Sequence, residues 1–129
     1  MTPYIWIPER AVLAIHDQQI VEHGGPSGVR DMTVIQSALG RPQNLLAYGS
    51  PDVAHLAAAY AYGLTRNHGF VDGNKRIGFL VAVTFLDVNG YEFAESEEEV
   101  VRGIVGVASG EMSEVALGEW FRGKIARVD

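Results

Sequence analysis

The segment "NHGFVDGNKRIGFLVAVTFLDV" (residues 67–88) places a polar and charged cluster directly before a long apolar stretch. The apolar part is hydrophobic on nearly every side of a helix, which is typical of a helix at the centre of a core. We therefore expect a central helix from about Asn74 to Val88. The polar cluster would then lie at the start of that helix, where backbone N–H groups have no partner within the helix.

The segments around this one also favour helices. The stretch "IPERAVLAIHDQQIVEHGG" predicts a first helix, with Pro8 in its first turn and Gly24 or Gly25 as a left-handed cap. A third helix is expected from about Asp52 to Arg66, and its small side chains would let a neighbouring helix approach closely.

The second helix is expected to be short. Asp31 can cap its first turn, and the helix would end near Leu39 because Pro42 follows. Residues 43–51 are expected to form a loop, since they are rich in turn-forming residues.

Two more helices follow the central one. The tripeptide "YEF" predicts a short extended piece, and Ser96 with Glu99 forms a capping box for a fifth helix. A sixth helix carries Trp120 and Phe121. The whole pattern predicts a compact all-α domain of six helices around a central apolar helix, covering residues 1–129.

The composition excludes several classes of protein. A chain of 129 residues without cysteine has room for one core but forms no disulfide and no thiolate metal site. The net charge of −6 argues against DNA or RNA as a direct partner. The longest apolar run is too short to span a bilayer, and residues 1–20 hold no secretory apolar region. We expect a cytoplasmic protein without a membrane partner.

The polar cluster has the composition of a phosphate site. A helix N-terminus attracts anions through its free N–H groups and its partial positive charge. Gly73 removes a side chain where a ligand would approach the backbone. Lys75 and Arg76 oppose the helix dipole in the first turn, which is reasonable only if a polyanion is bound there.

The acid and the imidazole beside this site suggest a reaction. Asp72 would repel a phosphate unless a Mg²⁺ ion lay between them, and Mg²⁺ is commonly held by one or two carboxylates plus phosphate oxygens. His68 is the side chain best suited to accept a proton near neutral pH. The set indicates transfer from a nucleotide to a hydroxyl group.

Simpler roles exist for several of these residues. Asp72 or Asn74 could serve only as the N-cap of the central helix, and for either residue alone the two interpretations stay open. Phe70 is expected to be a buried anchor of the loop. His16 and His55 are expected to be ordinary helix residues, and His23 is expected to lie at the C-terminal end of a helix.

The same residues carry a family resemblance. In order they are His68, Phe70, Asp72, Gly73, Asn74, Lys75 and Arg76. They resemble the signature HxFx(D/E)GN(G/K)RxxR of the Fic/Doc family, and its death-on-curing (Doc) branch most closely. The segments "HGGPSGVRD", "QSALGRP" and "ASGEMS" are also similar to Doc-type toxins in order and spacing. The resemblance covers almost the whole chain.

The resemblance implies a six-helix fold and a transfer from ATP, with Mg²⁺, to a hydroxyl of a protein. It implies His68 as general base, Asp72 as the Mg²⁺ contact and Arg76 as a further catalytic residue. The residues that would hold the nucleotide phosphates are Arg66, Gly73, Asn74, Lys75 and Arg76.

Two departures from the adenylylating Fic signature favour one chemistry. Lys75 stands where those enzymes have a second glycine, and Phe79 stands where they have the final arginine. Doc toxins share both departures and are similar to kinases that phosphorylate elongation factor Tu. We therefore expect transfer of the γ-phosphoryl group. The alternatives are an adenylyltransferase and a non-catalytic nucleotide-binding regulatory module.

The resemblance also implies a partner. The inhibitory hexapeptide (S/T)xxxE(G/N) of many Fic enzymes does not occur in this sequence. A toxin of a toxin–antitoxin system that arrests translation would then be restrained by a separate, Phd-like antitoxin.

Overall fold

The computed structural model describes residues 4–128, which form six α-helices and one small two-stranded sheet. The helices are α1 (Glu9–His23), α2 (Met32–Tyr48), α3 (Val53–Asn67), α4 (Asn74–Val88), α5 (Glu97–Ser109) and α6 (Glu114–Arg122). The strands are β1 (Tyr91–Phe93) and β2 (Ile125–Arg127), paired antiparallel with Tyr91 opposite Arg127. The predicted all-α, six-helix fold is confirmed, and the expected extended piece is β1.

Helix α4 is the central helix, with the boundaries that the sequence predicts. Ile77, Val81 and Phe85 on this helix are fully buried. The backbone of α4 lies close to α3 at Gly78, where a Cβ atom would come within 2.9 Å of the Ala61 carbonyl oxygen. The small residues of α3 therefore allow the tight helix pair on which the motif loop is mounted.

The expected end of the second helix near Leu39 is wrong. Helix α2 continues through Pro42 to Tyr48, so residues 43–48 are helical and not part of a loop. Proline in a helix interior costs about 3 kcal/mol. Pro42 lies on the buried face of α2 together with Ile35 and Ala38, and burial of this continuous apolar stripe outweighs that cost.

Side chains cap the N-termini of four helices, through Asp31, Asp52, Ser96 and Ser113. Asp31 accepts from the N–H groups of Thr33 and Val34, and Asp52 accepts from the N–H of His55. Ser96 Oγ accepts from the N–H of Glu99 at 3.2 Å, which is one half of the predicted capping box. The Glu99 carboxylate instead receives a hydrogen bond from Arg102 at 2.8 Å.

None of the helices within residues 4–128 combines the length and the apolar character that a membrane crossing requires.

Candidate active site

The motif loop joins the end of α3 to the start of α4. His68 is the C-terminal cap of α3, with φ 52° and ψ 47°. Among the described residues it is the only one other than glycine with a positive φ. Its side chain is exposed. Non-glycine residues with a left-handed backbone are uncommon and cluster at functional sites, so this conformation makes His68 a candidate active-site residue.

A reciprocal pair of hydrogen bonds closes the loop. The Phe70 backbone N–H donates to Asn74 Oδ1 at 3.0 Å, and Asn74 Nδ2 donates back to the Phe70 carbonyl at 3.0 Å. Phe70 is 1% exposed and holds the loop in the core, where the sequence places the anchor. The side-chain amide of Asn74 therefore braces the loop through both of its polar atoms.

The loop between α1 and α2 supports the motif from outside. The N–H groups of Arg30 and Asp31 donate to the Gly69 carbonyl at 2.8 and 3.0 Å, and Val71 N–H donates to the Gly28 carbonyl at 3.1 Å. Val29 forms an isolated antiparallel bridge with Phe70. The sequence predicts a tight loop here but not this pairing, because no local pattern tells which segment a short loop will contact.

The first turn of α4 has no side-chain cap. Its N-cap is Gly73, with φ 81°, and neither Asp72 nor Asn74 bonds a backbone N–H of this turn. The alternative role of those two residues as the helix cap is therefore wrong. The turn presents uncapped N–H groups next to the exposed Lys75 and the half-buried Arg76, which is an arrangement that attracts anions.

Arg76 carries a donor without an acceptor. Its Nε is buried and has no hydrogen-bond partner among the described residues. A buried unsatisfied donor costs about 1–3 kcal/mol. Arg76 lies at the edge of a groove of about 590 Å³ between α1, α4 and α5, whose apolar wall includes Phe79, Val101 and Ile104.

Arg66 is tied to a different element. Its Nη1 donates to the Val107 carbonyl at 3.2 Å, and its guanidinium lies 5.9 Å from the centre of the Tyr62 ring. At Gly110, with φ 84°, a Cβ atom would come within 3.0 Å of that same Nη1. The final turn of α5 therefore orients Arg66, and no hydrogen bond among the described residues links it to the first turn of α4.

The Asp72 carboxylate is exposed and has no hydrogen bond or ion pair within the described part of the chain. No group of three His, Cys, Asp or Glu side chains that could hold a metal ion occurs among residues 4–128. An all-protein metal site is therefore not present in this region. A single free carboxylate beside an anion-attracting helix end fits Mg²⁺ shared with substrate phosphates.

His16 lies within α1, as expected, and its contacts reach the motif loop. His16 is 1% exposed, and its Nε2 lies 2.7 Å from the Asp72 carbonyl oxygen. Its ring stacks on Phe70, with centroids 3.9 Å apart and planes 13° apart. His23 is an exposed residue in the last turn of α1, as expected. His55 bonds Asp52 through Nδ1 at 2.7 Å and helps to fix the start of α3.

Comparison with known proteins identifies the family. A family model described as Fic/DOC family matches residues 6–86. The chain belongs to this family. It is 32% identical over 117 residues to "Protein kinase doc" of Escherichia phage P1, which covers 90% of this chain and 92% of that protein. It is 42% identical over 77 residues to "Toxin Doc" of Mycolicibacterium smegmatis, covering 57% of this chain and 58% of that protein. The chain is a Doc-type member, as the motif indicates.

Within this Fic/DOC protein, the departure at Phe79 has a structural explanation. Phe79 packs against Phe93 with ring centroids 5.4 Å apart and against Phe121 at 5.9 Å. Trp120 completes this aromatic cluster at 6.2 Å. The position that carries an arginine in the Fic signature is therefore filled here by a partly buried ring that packs against the core and lines one wall of the groove.

Proposed function

We propose that this protein is a toxin enzyme that transfers the γ-phosphoryl group of ATP to a hydroxyl of a translation protein, with elongation factor Tu as the first candidate. The observation that carries the proposal is the uncapped first turn of α4, which has two cations and lies beside the free Asp72 carboxylate and the exposed His68. Two relatives are named as a kinase and a toxin, which supports both halves of the proposal.

Each group has a role in this reaction. The substrate hydroxyl oxygen forms a bond to the γ-phosphorus while the bond from that phosphorus to the leaving ADP oxygen breaks. His68 accepts the hydroxyl proton. Lys75, Arg76 and the free N–H groups of α4 stabilise the charge on the phosphate oxygens. Asp72 would hold Mg²⁺, which would supply positive charge to the phosphate oxygens when bound.

The two differences from the adenylylating Fic signature, Lys75 and Phe79, favour phosphoryl transfer over adenylyl transfer. Lys75 adds a long charged stem where a glycine would let phosphates insert deeply, and a compact ammonium suits a terminal phosphate. Phe79 is committed to the aromatic cluster and offers no charge. Adenylyl transfer remains the second candidate, since the same turn could hold ATP in the opposite direction.

The direct test incubates the purified protein with elongation factor Tu, or with cell extract, and ATP labelled at either the α or the γ phosphorus. We expect label in a protein band from γ-labelled ATP alone. Label from α-labelled ATP would replace the kinase with an adenylyltransferase. A protein that binds ATP tightly and labels nothing in any extract would be a non-catalytic binding module. Omitting Mg²⁺ should remove the signal.

We also propose that a separate antitoxin covers the groove between α1, α4 and α5. The groove is largely apolar, Val101 on its wall is 57% exposed, and the cationic Arg76 also lines it. An amphipathic segment with a carboxylate would fill it and block the nucleotide site.

Co-expression with a neighbouring antitoxin gene should relieve growth arrest, and Val101→Glu should abolish the complex while ATP affinity is retained. Unchanged complex formation by this variant would place the antitoxin elsewhere.

A further inference from the structure

His16 contacts the motif loop at two points although it belongs to α1. Its ring stacks on Phe70 at 3.9 Å, and its Nε2 lies 2.7 Å from the Asp72 carbonyl oxygen. A carbonyl oxygen only accepts hydrogen bonds, so Nε2 carries the proton and donates it. At 1% exposure the ring is closed off from solvent, and His16 cannot itself meet a substrate.

The bonded carbonyl belongs to the peptide that links Asp72 to Gly73. Gly73 is in the left-handed region with φ 81°, and α4 begins at the next residue. Rotation of this peptide plane would move the Asp72 side chain on one side and the first N–H groups of α4 on the other. The hydrogen bond from His16 therefore fixes the Asp72–Gly73 peptide, which lies between the Asp72 carboxylate and the first turn of α4.

The Asp72 carboxylate is also confined from the opposite direction. A Cβ atom at Gly25 would collide with Asp72 Oδ2, so the carboxylate lies directly against the backbone of the α1–α2 loop. Gly25 has φ 107°, which a side chain would strain further. Helix α1 thus bonds the carbonyl of Asp72 through His16, and the exposed carboxylate lies close to Gly25 of the following loop without a hydrogen bond to it.

We infer that His16 is a positioning residue that orients the Asp72–Gly73 peptide, and with it the Mg²⁺-binding carboxylate; the assignment to Mg²⁺ rests on the proposed function. Groups that orient a metal ligand typically change metal affinity or activity about 10–100-fold when removed. The competing explanation is that the ring of His16 only fills space beneath Phe70. One substitution can remove the N–H and keep the ring, and another can do the reverse, so an experiment can distinguish the two explanations.

The test compares His16→Phe with His16→Gln. Phenylalanine keeps the stacked ring and loses the N–H, whereas glutamine loses the ring and can place an amide N–H near the same carbonyl. The measurements are the melting temperature, the Mg²⁺ concentration that gives half-maximal ATP affinity, and the amide resonances of Gly73 and Asn74 in the ligand-free protein. We expect His16→Phe to raise the required Mg²⁺ about 10-fold or more and to shift both resonances. His16→Gln should restore most of the Mg²⁺ dependence even if it melts earlier.

The opposite pattern would overturn the inference. A His16→Phe protein with wild-type Mg²⁺ dependence and unshifted resonances would make His16 a packing residue. If His16→Phe does not fold, His16→Leu replaces it, because leucine also removes the N–H: a raised Mg²⁺ requirement that His16→Gln does not share supports positioning, and wild-type Mg²⁺ dependence contradicts it. If the ATP affinity of the wild-type protein does not depend on Mg²⁺, the metal part of the proposed function is wrong. The amide resonances of Gly73 and Asn74 would still show whether His16 orients the peptide.

Discussion

His68 combines an exposed imidazole with a left-handed backbone, and any substitution has to respect both. Asparagine is enriched in the left-handed region, so His68→Asn removes the base without adding strain. We expect this variant to melt near the wild-type temperature and to lose transfer activity by about 10²–10⁴-fold. Activity and melting temperature of the same preparation check the prediction. Wild-type turnover in a folded His68→Asn protein would remove His68 from the mechanism.

Asp72 offers a second test at this scale, because it does not cap α4. Asp72→Asn should therefore change the free energy of unfolding by no more than about 0.5 kcal/mol, which is usual for an exposed side chain without partners. The Mg²⁺ dependence of ATP affinity should be lost, since an amide is a poor ligand for this ion. A denaturant titration and ATP binding with and without Mg²⁺ check both statements. A stable variant with intact Mg²⁺ dependence would contradict the metal role.

The sequence predicts the identity of the site residues better than their contacts. Side chains that point to solvent, such as His68, Asp72 and Lys75, are identified by their chemistry and spacing alone. The support is invisible at that level: His16 lies 56 positions before Asp72, and nothing in its neighbourhood differs from an ordinary helix. The brace formed by Asn74 is equally hidden, because the same residue type suits a cap, a phosphate contact or a loop anchor.

At the scale of elements, local rules succeed where burial agrees with them. Helix α4 has its predicted bounds because the apolar run and the start of the helix coincide. Helix α2 departs from prediction because the penalty at Pro42 is local, whereas the gain from its apolar face comes from packing on α3. Only knowledge of that neighbour would have extended the helix to Tyr48.

The α3–α4 crossing provides a test of this packing with a matched control. Gly78→Ala should destabilise the protein by about 1–3 kcal/mol, because its Cβ would meet the Ala61 carbonyl and the backbone of Thr65. Gly40 lies inside α2, and a Cβ there would have nothing within 4 Å. Gly40→Ala should therefore stabilise by about 0.5–1 kcal/mol. Equal effects of the two substitutions in chemical unfolding would show that the crossing tolerates a methyl group.

At the scale of the whole molecule, the end of α3 opposite the motif is held by charges. Arg122 of α6 donates to Asp52 Oδ2 at 2.7 Å, and His55 Nδ1 lies 2.7 Å from Asp52 Oδ1. Helix α3 has 15 residues and so separates this network from His68 by about 22 Å. The ion-pair network of Asp52, His55 and Arg122 therefore lies at one end of α3, and the candidate active-site residue His68 lies at the other end.

The protonation of Asp52 should therefore affect stability without affecting the site. Partial burial alone would raise the pKa of Asp52, but hydrogen bonds from the His55 side chain and N–H and from Arg122 outweigh it and lower the pKa below its ordinary value. A carboxylate with a lowered native pKa adds stability above its unfolded pKa of about 3.9, and this stability is lost as the pH falls through the native value.

Asp52→Asn keeps a good N-cap and removes the charge, so it isolates this effect. We expect the variant to be less stable than wild type above about pH 4 and to approach it at lower pH, where Asp52 is protonated as well. Urea unfolding from neutral pH to pH 2 measures the difference. The control is Asp17→Asn, because Asp17 is exposed in the middle of α1, away from the helix ends, and its side chain has no ion pair within residues 4–128. This control should follow the wild-type curve.

A constant difference in the free energy of unfolding between Asp52→Asn and wild type across the whole pH range would mean that the charge of the carboxylate does not contribute to stability. ATP affinity at neutral pH should be the same for all three proteins, since about 22 Å of helix separates the substitution from the motif loop.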